Sequence, residues 1–393
     1  MIPRLCPAVP FSMLPLTLGA HAPVVEFEAV FATLATTKHA IAFPYGRTAL
    51  LCLLEALGLS QQEVICPSYT CVVVPHAITY SGNRPVFVDC SKDSFLMDLE
   101  LAGNAVTERA GAIIATSFFG EPVSLDALDA LARHHPQVKI IQDCAHSFFC
   151  TDTGRPVHKA GIAAIYGLNI SKLMTSVFGG MVTTDDDLLA QRLREVRAQR
   201  LSSASLSKSI ARRLYFVAAR IALSRTMYGG IKTVSTLGLL DRFVRYYQDS
   251  AIDMPKDYLM EMSRFEAAIG TRQCHTYDAA IAHRRALAAQ YHEGLNGCAH
   301  LVLPAPNPGH TWSHYTVRTR SAPAYIAALA KHGVELGELL EYFIPDMPTY
   351  QSARHHTHGI AKNYIGNVVN LPIHSFVTAS DAADIIRHLR VER

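Results

Sequence analysis

Along the first 200 residues, short apolar runs alternate with stretches whose hydrophobic positions follow a helical period. The apolar runs read as buried strands: Val64 to Cys66, Pro85 to Val88, Ala112 to Thr116, Lys139 to Gln142, Ala163 to Tyr166 and Met181 to Thr184. The periodic stretches Thr48 to Leu57, Leu125 to His134 and Leu188 to Arg197 read as helices between them. Strand and helix in alternation predict an α/β fold, a mainly parallel sheet wrapped by helices. Past about residue 250 the pattern gives two helices, Phe265 to Ile281 and His283 to Leu295, leading into a smaller α+β unit. The expected division is a large domain over 1–250 and a small one over 251–393, with no internal sequence repeat.

Residues 203–250 stand apart from this alternation. Arg212, Arg213, Arg220, Arg225 and Lys232 punctuate the apolar residues Leu214, Tyr215, Phe216, Val217, Ile221 and Leu223, the pattern of a basic amphipathic helix. Charges interrupt it too often for a spanning helix. Two uses fit: packing or an oligomer contact within the protein, or peripheral contact with an anionic membrane surface.

Composition narrows the class. The 393 residues are 49% hydrophobic and 18% charged, enough for a large core in a soluble enzyme of two domains. Lysine and arginine number 36 against 33 acidic residues, and a net charge of +3 gives no reason to assign nucleic acid as a partner. The nine cysteines form no CxxC pair, and several lie in apolar runs, as reduced buried thiols do; neither disulfides nor a metal site is expected. Pro7, Pro10 and Pro15 interrupt the apolar opening stretch, so a signal peptide is not expected and the chain is expected to be cytoplasmic. His134, His135, His355, His356 and His358 lack the partners that specify a metal and read as surface residues.

The chemistry concentrates in two places. Lys172 closes the largely apolar segment Ile165 to Ser171, shortly before Gly179-Gly180-Met181, and a lysine in apolar surroundings loses its proton readily and can form a Schiff base. Ile140-Ile141-Gln142-Asp143-Cys144-Ala145-His146 delivers an aspartate and a histidine at a strand's carboxyl end, where open α/β sheets place ligands. Taken singly, such a lysine is usually a surface residue and such an aspartate a cap or turn residue. Together they suggest pyridoxal phosphate, which needs a lysine for its aldehyde and a carboxylate to keep its ring nitrogen protonated.

Further motifs stand in order around these two. Gly46-Arg47-Thr48-Ala49-Leu50 opens a helix, Val64-Ile65-Cys66-Pro67-Ser68-Tyr69-Thr70 crosses from strand to helix, Pro85-Val86-Phe87-Val88-Asp89 follows, and Glu266-Ala267-Ala268-Ile269-Gly270 comes late. With Asp143-Cys144-Ala145-His146 and Lys172, this set resembles the DegT/DnrJ/EryC1/StrS family of pyridoxal-phosphate aminotransferases, from about residue 25 to the C-terminus. The resemblance implies fold type I and transfer of an amino group, from an amino acid such as glutamate, to a keto group on a sugar, usually nucleotide-linked. It implies that Lys172 is the Schiff-base lysine and proton shuttle, that Asp143 pairs with the ring nitrogen, and that His146 lies near the ring's phenolic oxygen. Thr48 and the turn at Gly46 would hold the phosphate at a helix N-terminus. A homodimer is also implied.

Four positions depart from the family pattern. Gly167 stands where a phosphate-binding serine is usual, Leu259 where an asparagine reaches across from the partner, Cys71 where an aromatic stacks on the ring, and Phe178 where a turn carries glutamate. Tyr69 is then the candidate to stack on the ring, and Arg47, beside Thr48, the candidate to anchor the phosphate with its forked donors. Arg47 gripping an anionic group of the substrate fits almost as well. His310-Thr311-Trp312-Ser313-His314-Tyr315 is similar to a family strand near the substrate. Two other functions stay open: amination of a non-sugar ketone or aldehyde, suggested by the apolar insertion and the altered phosphate positions, and a scaffold without catalysis, suggested by Gly167, Cys71 and Leu259.

Overall fold

Fully buried strands that need no alternation of polar residues build the central sheet. The computed structural model describes residues 1–6, 23–224, 227–229, 251–338 and 340–391. Its large sheet contains β1 (His39–Phe43), β2 (Glu63–Pro67), β3 (Arg84–Val88), β4 (Ala110–Thr116), β5 (Lys139–Asp143), β6 (Ala163–Gly167) and β7 (Gly180–Thr184). All seven residues of β4 are buried, as in a sheet covered on both faces. The order is β1-β7-β6-β5-β4-β2-β3, with β7 antiparallel to both neighbours and the other pairs parallel. All six expected strands are present, and β1 adds an edge that its short run did not announce.

Helices cover both faces. Val64 and Cys66 of β2 pack with α2 (Gly46–Ala56) and α3 (Val73–Tyr80), while Ile65 points the other way, into a core with Leu125, Leu128 and Leu131 of α5 (Leu125–His134). Between these come α1 (Val24–Ala35), which lies over β1, and α4 (Leu99–Asn104), begun by Asp98 accepting from the N–H of Glu100 and Leu101. α6 (Asp187–Arg200) follows β7 with Asp186 as its cap.

The expected helix Phe265 to Ile281 is two helices. α8 (Arg264–Cys274) starts in a Ser263/Glu266 capping box, and α9 begins at Tyr277 and runs through the second expected helix to Leu295. The break comes where the Thr276 hydroxyl and N–H both turn back to the Gln273 carbonyl, an alternative to the helical ladder that threonine offers readily. A two-stranded sheet of β8 (Tyr315–Arg318) and β10 (Val368–Leu371), with α10 (Ala322–Ala330) and α11 (Ala379–Val391), forms the C-terminal core.

Backbone pairing crosses the division at residue 250. Ile2 pairs with Val334, so residues 1–6 lie against the C-terminal core, and β9 (His355–His356) pairs with β3 at the edge of the large sheet. Those two histidines thus belong to an edge strand, with His355 exposed.

The insertion holds the main surprise. α7 (Leu206–Ala222) is amphipathic in the reverse sense to a membrane-surface helix: Lys208 and Arg220 are buried, whereas Leu206 is 78% and Leu214 66% exposed. The reason is counter-charge. Asp257 and the fully buried Glu266 draw Lys208 and Arg212 inward, and the guanidinium of Arg220 lies over the Phe376 ring. Lys208, Arg212 and Arg220 are therefore turned into the protein, and Arg225 and Lys232 lie outside the described residues. No helix among the described residues is long and apolar enough to cross a membrane.

Candidate active site

Small residues let the N-terminus of α2 press against the sheet. A Cβ added to Gly46 would lie 3.1 Å from the Gly167 Cα, and one added to Gly180 would lie 2.4 Å from the Tyr45 carbonyl oxygen. The first backbone bond of α2 runs from the Ala49 N–H to the Tyr45 carbonyl, and Tyr45 provides no side-chain cap. The N–H groups of Gly46, Arg47 and Thr48 therefore precede the helical ladder, donors of the kind that make a candidate anion cradle at a helix N-terminus. Of the expected side-chain contributions, the Thr48 hydroxyl donates to the Tyr258 carbonyl at 2.9 Å, and Arg47 Nη1 donates to the Asp253 carbonyl at 3.4 Å. Arg47's forked donors thus turn toward the segment entering α8, and its share in the cradle is its backbone N–H.

Lys172 sits in the turn between β6 and β7. That turn bonds to itself: the Lys172 N–H donates to Asn169, the Ser176 N–H to Leu168, and the Leu168 N–H to Gly179. Asp143 ends β5 and is buried; its Oδ1 accepts from the Ala145 N–H at 2.9 Å. Burial pushes the Asp143 carboxyl above its ordinary value, against the pull of the Ala145 N–H and Lys172. Burial likewise pushes the Lys172 ammonium down, against the raising influence of Cys71 and Asp143. A buried carboxylate and a readily deprotonated amine thus share one site.

His146 stacks between Phe118 (centroids 4.7 Å apart) and His314 (5.1 Å), and its Nδ1 has no hydrogen-bond partner. Burial first, then Lys172, then His314 hold its pKa well below the ordinary value, so the ring is neutral. His314 comes from the C-terminal part, brought in by its N–H donating to Phe119. It is the residue the sequence reading left undecided: the aromatic run around it was visible, its arrival beside His146 was not.

The structure places Tyr69 in an aromatic cluster. It is 2% exposed, stacked on Phe95 and in edge contact with Phe118, Phe119 and Tyr364. Its ring is drawn into the core because three neighbouring elements each supply an aromatic there.

Gly167, in the place of the usual serine, has room for one. A Cβ there would lie 3.5 Å from the Ala145 Cβ and 3.6 Å from the Lys172 Cε, ordinary contacts. Gly167→Ser is expected to keep or raise stability by up to about 1 kcal/mol, since glycine weakens a strand, and to tighten coenzyme binding about tenfold through one hydrogen bond to a charged group. Coenzyme titration of the apoprotein checks it; unchanged affinity would put the phosphate elsewhere.

The DegT/DnrJ/EryC1/StrS aminotransferase family matches residues 16–390. GDP-perosamine synthase of Caulobacter vibrioides is 36% identical over 177 residues, a match spanning 45% of this chain and 47% of that protein. Spore coat polysaccharide biosynthesis protein SpsC of Bacillus subtilis is 26% identical over 381 residues, 93% of this chain and 88% of that one. The Streptococcus pneumoniae protein Spr1654 in its PMP form superposes with a TM-score of 0.77 at 19% identity, covering 99% of this chain and 98% of that one, and it has also been solved with PLP. With the family's pattern running through nearly its whole length, the chain belongs to the DegT/DnrJ/EryC1/StrS aminotransferase family.

Proposed function

We propose that the protein binds pyridoxal phosphate at Lys172 and moves an amino group from an amino acid, glutamate first, to the keto group of a nucleotide-linked sugar. The observation that carries the reading is the meeting of Lys172, Asp143 and an uncapped helix N-terminus at the carboxyl ends of β5 and β6. The residues present fit the coenzyme. The N–H groups of Gly46, Arg47 and Thr48 would hold its phosphate, Asp143 would face its ring nitrogen, and the unpartnered Nδ1 of His146 supports a polar neighbour there. When bound, the coenzyme supplies an electron sink for the bond broken at the substrate carbon. Lys172 Nζ would carry the proton between substrate and coenzyme, a task its lowered pKa suits. Asp143 would hold the ring nitrogen protonated, and the Phe118–His146–His314 stack would wall the site.

The acceptor class is supported by the relatives' names: one is named for a GDP-linked product and another for polysaccharide biosynthesis. The test is a two-stage assay. Glutamate should bleach the visible band of the coenzyme-loaded protein and release its keto acid; then a panel of nucleotide-linked ketosugars, free ketosugars and non-sugar ketones is offered. Turnover of a nucleotide-linked ketosugar is expected. Turnover of non-sugar ketones alone would replace the sugar reading, and a band indifferent to every amino donor would make the protein a scaffold.

A further inference from the structure

No side chain caps α2, so the helix forgoes the hydrogen bond that a serine or aspartate there would contribute. The turn is held from outside instead. The Tyr45 hydroxyl donates to Asp257 Oδ1 at 2.5 Å and accepts from Arg212 Nη2 at 2.6 Å; the same Nη2 is 2.5 Å from Asp257 Oδ2, and Arg212 Nε is 3.1 Å from Glu266 Oε1. Arg212 also touches the opposite wall. Its guanidinium lies 4.1 Å from the centre of the Phe178 ring, in the turn between Lys172 and Gly179. One turn further along α7, Phe216 packs against the fully buried Val177, whose φ of 75° is strained for a β-branched residue and needs such support.

Electrostatics gives the contact a second effect. Asp257 sets a negative charge against the hydroxyl of Tyr45, the residue that opens the anion cradle, and a negative charge there opposes an incoming anion. Burial works against its ionisation, yet Tyr45, Arg212 and Lys208 together hold it below its ordinary pKa, so the charge is present and must be balanced.

We propose that Arg212 is a positioning residue for the anion cradle: it fixes the Tyr45 turn and balances Asp257, keeping the N–H groups of Gly46, Arg47 and Thr48 in place and electrically open to a phosphate. The assignment rests on the coenzyme reading above. It gives the insertion helix a function, as a strut from outside the large sheet to the coenzyme site.

The experiment titrates apoprotein with pyridoxal phosphate by absorbance, and with inorganic phosphate by thermal melting. It uses the parent, Arg212→Lys, Arg212→Met, Tyr45→Phe and the double variant Arg212→Met with Asp257→Asn. Arg212→Met should weaken coenzyme binding at least tenfold and Arg212→Lys less. Adding Asp257→Asn should recover much of the loss, which a purely structural arginine would not allow. Tyr45→Phe, which keeps the ion pairs, should weaken binding several-fold; it and Arg212→Lys decide the matter if circular dichroism shows Arg212→Met unfolded. Parent-like affinity in these variants, or a loss in Arg212→Met that Asp257→Asn leaves untouched, overturns the assignment. A parent that binds inorganic phosphate but never takes coenzyme at Lys172 overturns the coenzyme reading instead, and the phosphate titration then judges Arg212 by the same ranking.

Discussion

Lys172→Met, which keeps the stem and removes the amine, is expected to abolish amino transfer while leaving the fold intact. Proton transfer by a positioned base is itself worth on the order of 10²- to 10⁴-fold, and loss of the covalent link adds to it, so the rate should fall by at least about a thousandfold. The apoprotein should respond in the other direction. Because the folded state depresses the Lys172 pKa, the unfolded chain binds more protons between that depressed value and the ordinary value of 10.5, and stability rises with pH across the window. The methionine variant lacks this dependence. In urea melts it should be more stable than the parent at neutral pH, with the gap closing toward pH 10. Borohydride reduction and peptide mapping of the loaded parent should tag Lys172; a tag elsewhere, or transfer at the parent rate by the variant, would refute the role.

Asp143→Asn separates electronics from architecture. The amide oxygen can still accept from the Ala145 N–H, and the substitution relieves a buried carboxyl that the fold already drives toward its neutral form, so melting should be unchanged or improved. Transfer should nonetheless drop at least about 30-fold, the equivalent of the 2 kcal/mol or more that follows when one partner of a buried charge pair is removed. Steady-state kinetics with glutamate measures it. A variant within threefold of the parent would show that the ring nitrogen is protonated by another group.

The parts legible in the sequence were those set by local rules. Strands such as β4 are buried throughout and apolar up to their last residue because both faces are covered, and Asp143 and Lys172 announce themselves by closing such runs. β1 escaped notice because His39-Ala40-Ile41-Ala42-Phe43 carries two small residues, and its pairing with β7 is non-local. The orientation of α7 was unreadable for a sharper reason. Its pattern of arginines among apolar residues is that of a surface helix, and only the distant Asp257 and Glu266 turn the cations inward. The enclosure of Tyr69 was unreadable on the same account, since the aromatics around it come from elsewhere in the chain. His314 reaches His146 only through the folded packing of the 310–314 run against Phe119 and Gly120.

The close approach of Gly46 to Gly167, and of Gly180 to Tyr45, has a consequence for relatives still unread. A seat made of peptide donors places no demand on which polar side chains surround it, so serine, asparagine and threonine there can drift without erasing the recess. What cannot drift is the clearance for main chain to touch main chain. Divergent members of this group should be sought by those two tight crossings, an aldehyde-capturing amine and a carboxylate, with the loose vocabulary of neighbouring hydroxyls given little weight.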